Sequence, residues 1–347
     1  MKKTVMIIII TIICVGFGFE YYLWRAHNMN IHQFFFTPLY KKTDLSQHIF
    51  SCTEEERSNY NKFVQIGKER MSKQKVVIAG LARNCAKNLP ATIARIELTG
   101  SAFEDYRVVI FENDSIDGTR DIIKAWAAKN PRVILLDCTG VSDCKFGHQP
   151  LYNFGLMGTG RISKMAAFRN AYLGMIKRYF SNYDYLMVVD IDLQGPWSLK
   201  GVMNSIGHNN WDAICAYGLM TLIGTWGTIF MMYDALAYVG KNDETSSVMS
   251  PFDLMRHYLR INFWDTFGVN ECTGLVPVKS GFGGLAIYKM HAIQNAWYSG
   301  GICEHIALHE HMAYNGHSKI FMNPALVILS GHQGPPNFLD VFLIKAH

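Results

Sequence analysis

The sequence predicts an α/β fold, a mostly parallel sheet with flanking helices, preceded by an N-terminal transmembrane helix. Three observations lead there. From Lys75 onward, short apolar runs rich in β-branched residues alternate with segments of helical spacing, the pattern of parallel strands joined by crossover helices. One of those runs ends in Asp190-Ile191-Asp192, and open α/β sheets bind ligands beyond the carboxyl ends of their strands. At the N-terminus, residues 5–19 carry no charge.

Taken in order, the elements are these. Lys2 and Lys3 precede the apolar run, and residues 4–24 reach the ~20 residues that a membrane span needs. Tyr21, Tyr22 and Trp24 suit the membrane interface, and the two lysines suit the cytoplasmic side. The expectation is a single-pass type II membrane protein with a signal-anchor. A cleaved signal peptide is the rival, and the bulky residues after Gly18 speak against it. Residues 25–74 are polar and irregular and are read as a stem; residues 75–347 are read as the folded domain. Within it, residues 76–79 form a buried strand, 89–98 a helix and 106–111 a second strand. A helix over 117–129, capped by Ser115, places Ile122, Ile123 and Trp126 on one face. Residues 133–136 are a third strand, and 137–160 are a Gly-containing loop. A helix over 162–180 spaces Met165, Phe168, Tyr172, Ile176 and Tyr179 along one side. Residues 185–189 are the fourth strand.

Composition narrows the function. The chain has 347 residues, 49% of them hydrophobic, enough for one large core or two small ones. Its formal net charge is +5, and the basic residues are scattered with no run of five or more. Nucleic-acid binding uses a clustered basic stripe, so no nucleic-acid partner is expected. A mild positive excess does suit an anionic small ligand. The eight cysteines contain no CxxC pair, which removes support for zinc ribbons and thioredoxin-like sites. Cys138 and Cys144 can bridge in an oxidising compartment; otherwise they are buried thiols.

The chemistry-bearing residues fall in five places. Asp190 and Asp192 leave a strand on the same side, and two carboxylates there repel unless a cation lies between them. Oxygen ligands select a hard ion such as Mn²⁺ or Mg²⁺, which can stabilise a departing diphosphate; the plain alternative is a strand-end turn. Glu112, Asn113, Asp114 and Asp117 stand at another strand end, where they can accept hydrogen bonds from a base or ribose. Ser115 and Asp117 also serve as helix caps. Arg161 and Arg169 suit phosphate recognition, or pack as helix-surface arginines. Gly283 and Gly284 precede an apolar strand and allow backbone to approach a ligand closely. Glu304 and Glu310 are candidate general bases for an acceptor hydroxyl. His305 and His309 are spaced i,i+4, but Ala313 stands where an HExxH motif would need its second histidine, so zinc is disfavoured. His309 and His311 are expected on an ordinary polar helix surface.

The strand-end residues 112–119 (Glu-Asn-Asp-Ser-Ile-Asp-Gly-Thr), the helix start 161–170 (Arg-Ile-Ser-Lys-Met-Ala-Ala-Phe-Arg-Asn) and Asp190-Ile191-Asp192 occur in an order and spacing that resembles GT-A-fold glycosyltransferases of the family 2 type. Within these the sequence is most similar to fungal capsule-associated and mannan-type mannosyltransferases, over roughly residues 75–335. The resemblance implies a GT-A-like domain and a nucleotide-sugar co-substrate. The acceptor would be a hydroxyl of a glycan, protein or lipid, and in a eukaryote the site would face a Golgi- or ER-type lumen. It implies that Glu112 and its neighbours contact the nucleoside and that Arg161 and Arg169 lie near the donor. Gly283 and Gly284 would lie under the donor sugar, with Asp190 and Asp192 holding the metal and His332 returning to it. The family pattern has Asp and Gly where this chain has Glu112 and Asp114, so base and sugar do not transfer. Two other functions use the same residues: a metal-dependent phosphate- or glycoside-hydrolase, and a membrane-tethered sugar-binding module without catalysis.

Overall fold

The computed structural model describes residues 52–137, 159–224, 227–243, 269–301 and 303–331. The first four strands, β1 (Lys75–Ala82), β2 (Asp105–Glu112), β3 (Val133–Asp137) and β4 (Tyr185–Val189), pair in parallel in the order β3-β2-β1-β4. Their side chains alternate between two cores. Val77, Ala79, Val109, Phe111, Leu186 and Val188 face one layer, and Val76, Ile78, Val108, Ile110 and Met187 face the other. A strand covered on both faces must be apolar throughout, which is why these runs were legible.

Helices α2 (Leu89–Gly100) and α3 (Thr119–Lys129) cover the second layer with Leu89, Ile96, Ile123 and Trp126. Helix α4 (Thr159–Tyr179) covers the first with Phe168, Tyr172 and Ile176. Strands β1, β2 and β3 and helix α2 extend their expected spans by one to a few residues, and β4 matches its expected span. Helix α3 starts two residues later than expected, and α4 starts three residues earlier and ends one earlier.

Beyond β4 the sheet is mixed, which corrects the expectation of a mostly parallel one. Strand β5 (Ala213–Gly224) forms a hairpin with β6 (Gly227–Met232), and a two-residue connection permits only antiparallel pairing. Strand β9 (Leu285–Lys289) lies antiparallel between β4 and β5, with Leu285 opposite Val189 and Lys289 opposite Tyr185. Strand β10 (Ile320–Gly331) is parallel to β5 and antiparallel to β8 (Val276–Ser280), which pairs with the short β7 (Val239–Gly240). Helix α6 (Met290–Ile293) follows β9, and α7 (Glu304–Tyr314) packs into the first core through Ile306, Leu308 and Met312.

Part of the expected stem is helical. Helix α1 (Glu54–Met71) starts with a capping box: Thr53 Oγ1 accepts from the Glu56 N–H, and Glu56 accepts from the Thr53 N–H at 2.8 Å. It packs on α5 (Leu199–Gly207) so closely that a Cβ at Gly67 would sit 1.7 Å from the Met203 carbonyl oxygen, and one at Gly207 2.0 Å from that of Phe63. Arg70 donates to the carbonyls of Ile206, Gly207 and His208, each at 3.0 Å, satisfying acceptors that a helix end leaves open. Only Tyr60, Gly67 and Met71 are buried in α1, so its sequence carries little apolar periodicity.

A disulfide between Cys52 and Cys272, beside an Arg57–Glu271 ion pair of 2.6 Å, fastens the start of α1 to the segment before β8. Such a long-range link contributes typically about 2–4 kcal/mol. The sequence did not indicate this pairing, and Cys138 and Cys144 lie outside the described residues. Among the described residues no helix is long and apolar enough to cross a membrane; residues 4–24 lie outside them.

Candidate functional site

The carboxyl ends of β1, β2 and β4 lie on one edge of the sheet, and the turn into β9 meets them there. Gly283 and Gly284 both adopt positive φ, +61° and +89°. A Cβ on Gly283 would stand 2.4 Å from the Ala216 carbonyl oxygen, so this turn needs glycine for its own geometry and its packing on β5. The Gly284 carbonyl accepts from the Asp190 N–H at 2.9 Å. The glycine turn and the Asp190-Ile191-Asp192 segment are therefore built against one another.

At the centre is Arg169, 2% exposed, on α4. Its Nε donates to Glu304 Oε1 at 3.0 Å, its Nη1 to the Tyr172 hydroxyl at 3.3 Å, and its Nη2 lies 3.5 Å from Asp190 Oδ1. The rings of Phe282 and Tyr298 lie 5.3 and 5.7 Å from the guanidinium carbon. Burial opposes the arginine's charge, but Tyr172, Glu304, Tyr298 and Asp190 hold its pKa well above the ordinary value. The guanidinium that the sequence assigned to the donor is thus committed to two carboxylates of the protein itself.

Asp190 also accepts from the Tyr233 hydroxyl at 2.8 Å. Burial pushes its carboxyl up to about 7; Arg169 pulls the other way, and the charge of Asp192 adds to the rise. Asp192 is exposed, with its backbone carbonyl near the Asn88 amide. Glu304, 5% exposed, is the first residue of α7. Its second oxygen meets the Cys303 thiol at 3.9 Å.

Two residues of this centre were missed from the sequence, Tyr233 and Asp234, which follow β6. Asp234 takes a left-handed conformation (φ 57°), a strained state for a non-glycine residue. Burial, then the charges of Asp190 and Glu304, push its carboxyl well above the usual range. The available signal was the one that found Asp190, a carboxylate just past a strand end.

The other expected residues divide. Glu112 is fully buried and accepts from the Ser115 N–H at 2.8 Å and from Arg120. Asp117 accepts from the Ala86 N–H at 3.0 Å and from the Thr119 hydroxyl at 2.6 Å. Asp117 laces the loop after β2 to the loop after β1, while Glu112 braces the loop after β2 against the start of α3. Ser115 takes part in the same lacing, accepting from the Asn84 N–H at 3.0 Å. It does not cap α3, whose N-cap is Gly118. Asp114, at φ 42°, pairs with Arg83 at 3.1 Å and accepts from the Asn113 amide at 2.7 Å.

Arg161 is exposed on the first turns of α4, ~12 Å along the axis from Arg169. Glu310 is exposed near the far end of α7, ~9 Å along the axis from Glu304. Neither joins the Arg169 cluster through a hydrogen bond or ion pair described here. His332 lies outside the described residues.

Of the histidines of α7, His309 departs from expectation and His311 does not. His309 is fully buried, with Ser280 Oγ 2.9 Å from its Nδ1 and the Tyr288 hydroxyl 3.3 Å from its Nε2. Both nitrogens are taken within the protein, and the expected polar surface is core. His305 is buried and stacked on Phe282 at 3.8 Å, with its Nε2 3.9 Å from Glu304 Oε1. Burial, with the charge of Arg169, holds its pKa well below the usual value, so it is neutral. His311 is partly exposed, packs on Trp297, and has its Nδ1 2.7 Å from the Trp297 carbonyl.

No known protein family and no curated protein matches the sequence. Among solved structures, the chain is similar to the mannosyltransferase PcManGT from Pyrobaculum calidifontis in complex with GDP-Man and Mn²⁺. The identity is 13% and the TM-score 0.43, over 82% of this chain and 68% of that one. It is also similar to residues 1–349 of S. aureus TarS in complex with UDP-GlcNAc, at 12% identity and a TM-score of 0.41 over 75% of this chain and 59% of that one. A second TarS structure gives 13%, 0.39, 74% and 60%. The match thus spans about three fifths of the TarS chain's length.

Buried neutral histidines make this architecture acid-sensitive. Burial pushes His309 down from 6.5 to about 3. As pH falls below the unfolded value, the unfolded chain takes up a proton that folded His309 refuses. Stability therefore falls with falling pH across that window, by up to about 1.4 kcal/mol per pH unit. His309→Gln keeps a polar partner for Ser280 and Tyr288 without a titrating group. Urea midpoints measured from about pH 6 to pH 4 are expected to fall less steeply for the variant than for the wild type. Equal slopes would contradict the assignment.

Proposed function

We propose that this chain transfers a glycosyl group from a nucleoside-diphosphate sugar to a hydroxyl acceptor, using a divalent cation. One observation carries the reading. A single buried guanidinium, Arg169, joins a strand-end carboxylate, Asp190, to a helix-start carboxylate, Glu304, while the next carboxylate, Asp192, stands exposed at the strand end. This supplies the two chemistries that glycosyl transfer needs on one edge of the sheet.

The residues fit a hard cation. The charge of Asp192 adds to the cost of ionising buried Asp190, a conflict that a positive ion relieves, and their donors are oxygens, which suit Mn²⁺ or Mg²⁺. Asp192 is the open ligand; Asp190 is already oriented by Tyr233 and Arg169. When bound, such an ion stabilises the charge that gathers on a departing diphosphate.

The protein's own groups supply the rest. The acceptor oxygen bonds to the anomeric carbon as the bond from that carbon to the diphosphate breaks, and the acceptor's proton passes to Glu304. Arg169 fixes one oxygen of that carboxylate and so sets the direction of the other. Neutral His305 and the rings of Phe282 and Tyr298 wall the carboxylate from water. Among the four loop residues first assigned to the nucleoside, Glu112 and Asp117 are held by backbone N–H groups of the two loops, and Asp114, partly exposed beside Arg83, is kept as the candidate together with Asn113. The motif resemblance supports a hexosyl donor and leaves the sugar and base open.

The same proposal places the domain outside the cytoplasm, anchored through residues 4–24. The Cys52–Cys272 disulfide supports this, because such bonds persist in oxidising compartments. Thiol-blocking mass spectrometry on chain from intact cells is expected to find the pair oxidised; free thiols at both positions would argue against that location.

The catalytic assignment is tested with the full chain, Mn²⁺ and a panel of nucleotide-sugars. Asp192→Ala is expected to abolish metal-dependent transfer while leaving the circular dichroism unchanged, since the side chain is exposed. Glu304→Gln is expected to lower kcat by at least ~10²-fold with donor affinity little changed. Near-normal turnover of Asp192→Ala in excess chelator would remove the metal assignment. A Glu304→Gln enzyme within a few-fold of wild type, or a product with retained anomeric configuration, would remove the base.

A further inference from the structure

At the opposite end of the sheet, three residues from three segments converge. Asp212 immediately precedes β5, His291 lies in α6 after β9, and His317 stands in the turn before β10. One ligand atom from each lies within 4.8 Å of the others. Strand β4 separates this group from Asp190: Lys289, two residues before His291, pairs with Tyr185 at the start of β4, whereas Asp190 follows its end. Five residues of strand span ~16 Å, so the two places are distinct.

We propose that Asp212, His291 and His317 form a second metal site, for a borderline divalent ion of the Zn²⁺ type. The donor set differs from that at Asp190 and Asp192. Two imidazole nitrogens and one carboxylate oxygen, with an open position, are a common protein contribution to a tetrahedral zinc site. All-oxygen donors favour Mg²⁺ or Mn²⁺ instead.

The geometry supports the set. Asp212 is held in place: its N–H donates to the Lys319 carbonyl at 2.8 Å, and its carbonyl accepts from the Lys289 N–H at 3.0 Å. Its Oδ2 accepts from the Lys319 N–H at 3.0 Å. This is the outer hydrogen bonding that orients a ligating carboxylate, and it leaves Oδ1 facing His317 Nδ1 at 3.5 Å. The rings of His291 and His317 stand 5.5 Å apart at 66°, edge toward face. Ligands about 2.0–2.2 Å from a common zinc lie ~3.3 Å from one another, so a modest turn of the exposed His291 closes the set.

The two lysines nearby are engaged elsewhere. The ammonium of Lys319 bonds the Asn210 side chain, and that of Lys289 lies 5.0 Å from the Trp211 ring centre. An ion here would tie together the starts of β5 and β10 and the end of β9, fastening the mixed half of the sheet.

Binding of Zn²⁺ alone tests this, without any activity measurement. The full chain carrying Asp192→Ala, which disables the strand-end site, is titrated with Zn²⁺ in excess Mg²⁺ by calorimetry, and its thermal midpoint is followed. One ion per chain is expected, with a midpoint that rises with Zn²⁺ concentration. Adding His291→Ala or His317→Ala is expected to weaken binding by at least ~100-fold and to remove the thermal shift. His291→Gln serves as a second variant, and circular dichroism in the absence of metal checks that each folds. An absence of stoichiometric Zn²⁺ binding, or unchanged binding when both histidines are replaced in a folded chain, would overturn the proposal.

Discussion

The buried guanidinium of Arg169 is the constraint on which the rest of the site depends. A charge in a dry interior costs several kcal/mol unless it is paired and hydrogen-bonded. The chain meets that cost with Glu304 from the start of α7 and Asp190 from the end of β4. Helix α7 is distant in sequence from helix α4 and strand β4, and the three belong to different elements of the fold. The ion pairs fix their relative positions more tightly than apolar packing alone, because breaking either leaves an uncompensated buried charge. Tyr233, Tyr172, Phe282 and Tyr298 then complete the shell around the same group.

The second consequence is electrostatic. Asp190 and Asp234 both feel the charge of Glu304 around a single arginine, and Asp192 stands just outside. Burial first, and then these charges, push the carboxyls of Asp190 and Asp234 toward their neutral forms. Backbone strain gathers at the same edge: Asn84, Asp114 and Asp234 all take positive φ. Such strain persists where surrounding contacts enforce it, and functional loops are where it concentrates.

How far the sequence revealed this depended on whether the signal was local. The parallel half was legible because strands covered on both faces are apolar without interruption; residues 185–189 gave β4 directly, and the carboxylates after it pointed to the strand-end cluster around Arg169. The mixed half was not, because the pairing of β5, β9 and β10 depends on tertiary contacts and on a register shift between Asn323 and Val327. Helix α1 escaped notice because it is largely polar and is held by glycine contacts, a capping box and a disulfide. Glu304 was legible as an acid following the glycine turn. The commitment of Arg169 to it was not, since a basic residue on a helix looks the same whether it meets a phosphate or a carboxylate. His309 was misplaced for the same reason: its burial depends on Ser280 and Tyr288, which its own segment does not announce.

The most direct measurement of the central claim is a structure of the full chain with Mn²⁺ and a bound nucleoside-diphosphate sugar. The account predicts the diphosphate on the Asp192 side, the sugar over the Gly283–Gly284 turn, and Glu304 still held by Arg169 and facing the anomeric carbon from the acceptor side. A donor bound away from this edge of the sheet, or a Glu304 carboxylate turned from the sugar with Arg169 on the diphosphate, would contradict it.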